Sequence, residues 1–163
     1  MASRKILVNI SLLTAPAAAI FQAGYGFAFS QNTVPQLYDE RPHHSTPIFA
    51  RIFKAGAYVA VPMSLLSAAS STYLSILCTS PLQRRLYTLA ALGAFLPLPY
   101  TWGMMMGGSK RLLAISESVE EQNKSEQTLE HRQLFKSWAF HNHVRNLLYT
   151  VGGFASLWAG IYG

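Results

Sequence analysis

Charge is scarce in this chain, and acids most of all. Of 163 residues, 13 are Lys or Arg and 7 are Asp or Glu, with Asp39 the single aspartate. Charged residues make up 12% of the chain, against about 25% in a soluble domain. The lone cysteine, Cys78, excludes an internal disulfide and a thiolate cluster supplied by one chain. It reads as a packing residue near a helix end. There is no Gly-Lys-Ser/Thr phosphate loop, no Gly-rich dinucleotide turn and no recognisable Ser/His/Asp set, which removes those nucleotide and hydrolase chemistries. The net charge is +6, yet the basic residues form no block, so no nucleic-acid surface is expected. Many sit in pairs at the ends of apolar segments, as membrane proteins place them.

What the chain does have is long uncharged stretches. Half its residues are hydrophobic and the mean hydropathy is +0.19. Four segments stand out, at about 6–30, 50–78, 86–106 and 137–162, each near the roughly 20 residues a membrane span needs. The first follows Arg4 and Lys5 and exceeds a signal-peptide core of about 7–15 residues, so it reads as a retained span. The expectation is therefore an all-α integral membrane domain over residues 1–163, an antiparallel four-helix bundle. Pro42 discourages regular structure in the linker 36–46, and Gly107 and Gly108 close segment three. Leu112, Leu113, Ile115 and Val119 predict a short amphipathic helix in the loop between spans three and four. Residues 122–125 then read as a turn. Four spans put both termini on one side; which side is left open, because both carry Lys and Arg.

The strongest pattern lies at 135–149. Trp138, Asn142, Arg145 and Tyr149 recur at steps of four, three and four, one stripe of a helix, with Phe135 on the same side. His141 falls at its edge and His143 faces away. Starting the last span near Ser137 puts Arg145 inside the membrane-embedded protein, where an ionisable residue is a functional-site hypothesis by default; the bland reading is an Arg snorkelling to the headgroups. The four-span topology brings Asn32, Lys54, Tyr100 and this stripe to one end of the bundle. Pro97 and Pro99 predict a kink beside them.

A first span with Gln22-Ala-Gly followed by Pro35-Gln-Leu, then Pro99-Tyr-Thr followed by Leu112-Leu113, then Trp138-x3-Asn142-x2-Arg145, resembles the anthrone oxygenase family of small four-span membrane proteins. One departure is Met105-Met106-Gly107-Gly108-Ser109, where members commonly carry Pro-Thr-Asn. The resemblance implies a monooxygenase of polyketide secondary metabolism that oxidises an anthrone to an anthraquinone with O2, without flavin or haem. In a fungus it implies an endoplasmic reticulum or other endomembrane location. On that chemistry His141 is the candidate base, with Arg145, Asn142 and Tyr100 for the oxyanion. Trp138, Phe135, Tyr149, Asn32 and Lys54 are candidate substrate contacts, although aromatics at helical spacing are more often plain packing.

Other readings stay open. His43, His44 and His141 share one side of the topology and would suit copper or iron in a metal-dependent oxygenase. A non-enzymatic scaffold would use the Arg145 stripe only to lock helices. Transport would need oligomers, and a homo-oligomer fits any of these.

Overall fold

The computed structural model describes residues 2–162, which are helical almost throughout. Helix α1 (Ala2–Ala28) passes into a π-helical turn (Phe29–Thr33) and a 3-10 turn (Val34–Leu37). Helix α2 (Pro42–Leu77) follows, then α3 (Pro81–Phe95), the short α4 (Pro97–Tyr100), a second π-helical turn (Thr101–Met105) and α5 (Met106–Glu117). The chain closes with α6 (Val119–Thr128) and α7 (Glu130–Tyr162). Three runs, Ser3–Leu37, Pro42–Leu77 and Pro81–Glu117, are long and apolar enough to cross a membrane.

The long helices pack in a ring, α1 on α2, α2 on α3, α3 on α7 and α7 on α1. Small residues fill the interior: Ala15, Ala19, Ala90, Ala94, Gly93, Gly152 and Ala159 are buried. Large apolar side chains such as Leu13, Phe21, Ile76, Leu89, Phe154 and Ile161 face outward. A water-soluble bundle does the reverse, and this inversion is what close packing in lipid requires. At the α3–α7 crossing a Cβ on Gly93 would stand 2.8 Å from both Gly152 Cα and Leu148 O, so only glycine permits that approach.

Several boundaries differ from the sequence reading. Pro42 does not interrupt structure; it occupies the first turn of α2, where its missing N–H would be unpaired anyway. Gly107 and Gly108 lie inside α5 rather than closing the third segment, which continues to Glu117. Residues 122–125 are helical, because Ser118 caps α6 by accepting from the Glu121 N–H. The helix expected to lie at the interface instead buries Leu112 and Ile115 completely. Leu112 joins Val34, Leu37, Phe49 and Phe135 in a cluster at one end of the ring.

Polar ties cross that end. Arg111 donates from Nε to Glu130 Oε1 at 2.7 Å and from Nη2 to Glu130 Oε2 at 2.9 Å, and its Nη1 lies 2.6 Å from Glu121 Oε2. One guanidinium thus joins α5, α6 and α7. It holds the Glu130 carboxyl below its ordinary value of 4.5. Arg132 pairs with Asp39 at 3.0 Å, and His43 Nδ1 sits 2.6 Å from Gln122 Oε1.

Candidate functional site

Between the helices lies a cavity of about 320 Å³, within the size range of small-molecule sites. Helices α1, α2 and α7 and the kinked segment that follows α3 contribute to its wall. Helix α1 and the turn after it supply Gln22, Tyr25, Gly26 and Phe29; α2 supplies Ile52, Phe53, Gly56, Ala57, Ala60 and Val61. The kinked segment adds Leu98, Thr101, Trp102 and Met106, and α7 adds Trp138, Asn142 and Arg145. Trp102 is 77% exposed, so the wall there reaches the outer surface of the ring.

Local backbone chemistry shapes this wall. Pro97 and Pro99 lack the N–H that would continue the α-helical ladder, and the helix reorganises around them. The Thr101 hydroxyl donates to Pro97 O at 2.6 Å. The π-helical turn that follows turns Trp102 toward the cavity edge and buries Met105 against Arg145. Such turns recur at functional sites. A second one, Phe29–Thr33, flanks the other side and carries Ser30.

Arg145 is held by a short chain of bonds. Asn142 donates through Nδ2 to Gly26 O at 2.9 Å and to Ser30 Oγ at 2.7 Å. Its Oδ1 accepts from Arg145 Nη1 at 3.3 Å, and Nη1 also contacts Met105 Sδ at 3.9 Å. Among the described residues no carboxylate pairs with Arg145. Its Nε, buried, has no hydrogen-bond partner, and neither has Trp138 Nε1 or Gln22 Oε1. Native interiors leave few such groups unpaired. Here three of them line one cavity. The arrangement sets a cation without a carboxylate partner in the wall of a mostly apolar, roughly aromatic-sized space, with the Arg145 Nε and Trp138 Nε1 groups buried and unpaired beside it.

The structure brings Trp138, Asn142 and Arg145 to the wall, but not the rest of the predicted set. Phe135 is fully buried beside Phe49, one turn above the cavity. Tyr149, one turn below Arg145, is also buried, with its hydroxyl 2.5 Å from Ser64 Oγ. These two residues bound the cavity instead of touching its contents. His141 Nδ1 lies 2.7 Å from Tyr100 Oη, and neither lines the cavity; the stripe edge on which His141 sits turns to α4. Asn32 and Lys54 are exposed; Lys54 stands between the wall residues Phe53 and Gly56 but on the outward face of α2. Asn142 spends its hydrogen bonds on α1 and Arg145, so it positions the guanidinium and has no Oδ1 or Nδ2 left idle. His43 is engaged by Gln122 and His141 by Tyr100, and among the described residues no three His, Cys, Asp or Glu side chains converge.

Gln22 lines the cavity although it is not among the sequence-predicted contacts. Its signal is an amide in the middle of a segment of small and apolar residues, where polar groups are costly. The π-helical turns left no sequence signal beyond the two prolines.

No solved structure matches the chain. It is 27% identical over 180 aligned positions to the anthrone oxygenase EncC of Aspergillus fumigatus, an alignment covering 99% of this chain and 97% of that protein. The family model described as anthrone oxygenase matches residues 49–155, which include the cavity wall from Ile52 through Arg145. The chain therefore belongs to the anthrone oxygenase family.

Proposed function

We propose that the protein is a four-span oxygenase of an endomembrane that converts an anthrone-type aromatic to the anthraquinone with O2 inside this cavity. Membership of the family supports the oxygenase class. The fourth span is α7, whose polar residues face inward while Leu147, Val151, Phe154, Trp158 and Ile161 form one exposed apolar stripe. That inward polarity lowers its average hydropathy without changing what lipid would meet.

The observation that carries the chemistry is Arg145, half-buried at the cavity wall with no acid among the described residues beside it. Anthrone has an acidic methylene, and its deprotonated form is an enolate whose oxygen a guanidinium stabilises. Among the described residues the wall holds no imidazole or carboxylate, so the pocket captures the anion and releases the proton to solvent. The enolate passes one electron to O2, and the resulting radical and superoxide join in a C–O bond. Uptake of one proton gives the hydroperoxide. Loss of the second methylene hydrogen with O–O cleavage expels water and leaves the new carbonyl. Anthrone and O2 thus become anthraquinone and water. The substrate anion supplies the electrons, so the reading requires no redox cofactor, and chelators are expected to leave turnover intact.

Purified protein in detergent, given emodin anthrone and O2, should produce quinone absorbance faster than the uncatalysed background. Arg145→Ala should lower turnover by about 10²–10³-fold, as loss of an oxyanion donor does. Arg145→Lys should fall between, keeping the charge without the planar fork. Full turnover in a folded Arg145→Ala protein would remove Arg145 from the reaction.

A further inference from the structure

We infer that the end of the ring opposite the charged cap carries a site for an anionic glycerophospholipid, its phosphate held by Arg4 and Lys5 and its acyl chains laid along the apolar groove beneath them. The groove measures about 550 Å³ and shares no lining residue with the inter-helix cavity. Arg4 and Lys5 form its rim on α1, and Val8 and Leu12 continue the wall inward. Arg4, Val8 and Leu12 recur at steps of four, one face of a helix. Leu74 and Leu77 at the end of α2 and Tyr87 on α3 complete the wall. Leu74 and Tyr87 are buried and pack with Val8, so the floor is already formed. At about 1.5 Å per residue the wall descends about 12 Å from Arg4 to Leu12, the passage from a lipid headgroup to its chains.

Charge decides the occupant. Acidic side chains stand only at positions 39, 40, 117, 120, 121, 126 and 130, all in or beside the cap at the far end. The cap thus offsets its own cations, Arg111 with Glu121 and Glu130 and Arg132 with Asp39. At the groove end Arg4 and Lys5 are joined by Arg84 and Arg85 at the start of α3. Among the described residues none of these four meets a carboxylate. Arg84 is engaged, donating to Cys78 O at 2.9 Å, which leaves Arg4 and Lys5 at the rim itself. Cations alone would draw any anion. The floor of Val8, Leu12 and Leu74 narrows the choice, because an inorganic anion has nothing to lay against it. A zwitterionic headgroup would bring its own cation into this field, so the net-anionic lipid is preferred. Basic pockets between helices at a membrane surface take anionic headgroups in this way.

Native mass spectrometry counts the lipids that the full chain retains when released from detergent micelles doped with phosphatidylglycerol or phosphatidylcholine. The wild type should keep one phosphatidylglycerol at concentrations where phosphatidylcholine is lost. Arg4→Gln combined with Lys5→Gln should weaken that retention about tenfold to thirtyfold, the effect of two cations at an anionic surface. Lys110→Gln combined with Lys124→Gln removes the same charge from the cap and should leave retention unchanged. All four residues are exposed, so these variants read binding rather than folding. Inorganic phosphate, at an ionic strength matched with chloride, should not displace the lipid. Equal retention of the two lipids, undiminished retention in the Arg4 and Lys5 variant, or equal loss in both variants would overturn the inference. Displacement by inorganic phosphate would overturn it as well, marking a site for a free anion.

Discussion

Arg145 and His141 are four residues apart on α7, yet they meet different surroundings. Arg145 stands in the cavity wall, while His141 turns to Tyr100 on α4. A general base contributes about 10²–10⁴-fold, so the two placements predict different kinetics. His141→Gln is expected to keep turnover within about tenfold of the wild type, far short of that span. A loss in the general-base range, measured as initial rates of quinone formation, would put His141 in the reaction. The stripe Trp138–Asn142–Arg145 was legible because helical spacing fixes which residues share a face. Tyr149 and Phe135 share it too, but spacing says nothing of where a cavity begins and ends along that face. The Phe135 cluster and the Tyr149–Ser64 bond set those limits, and both depend on a second helix whose register the sequence does not reveal.

At the scale of elements, the approach of α3 to α7 defines one side of the ring. Gly93 and Gly152 let the two backbones touch, below and beside the kink that opens the cavity wall. Gly93→Val would push a branched side chain against Gly152 and the Leu148 carbonyl. The cost should be about 1–3 kcal/mol, as for overpacking, read as a lower melting temperature in detergent. An unchanged melting temperature would mean that the helices do not pack this closely. The two prolines announced a kink, and the break at Leu96 with the π-helical turn after it lies where they stand. The extension of α5 through Gly107 and Gly108 was hidden. Glycine is weak helix-breaking information where tertiary contacts bury the segment, and Ser109, Leu112 and Ile115 are all buried.

The whole molecule divides into a ring with large apolar side chains outside and small residues inside, and a charged cap over one end. The all-helical character was legible in the four largely uncharged stretches. The cap was not, because its ties join residues distant in sequence, such as Arg132 with Asp39. Glu130 binds α7 to α5 through Arg111, which lowers its folded pKa below 4.5. A depressed carboxyl contributes stability that is present above the unfolded pKa and is lost as pH falls through the folded one. Thermal stability should therefore decline on acidification below about pH 4.5. Glu130→Gln should start lower at neutral pH and show a shallower decline. The effect is small, since the Glu130 side chain is one-third exposed and water screens the pair. Identical pH profiles for the two proteins would contradict this role.

The central claim is that the cavity stabilises the substrate as its anion beside Arg145. Without oxygen, anthrone bound to the protein can be titrated by absorbance, because the neutral and deprotonated forms absorb differently. The wild type should show the anion at a pH where free anthrone in the same detergent is still neutral, and Arg145→Ala should not. Admitting O2 should then convert the anion to quinone in one turnover. A bound anthrone that ionises at the same pH as free anthrone, in a protein that nevertheless forms quinone, would contradict the account.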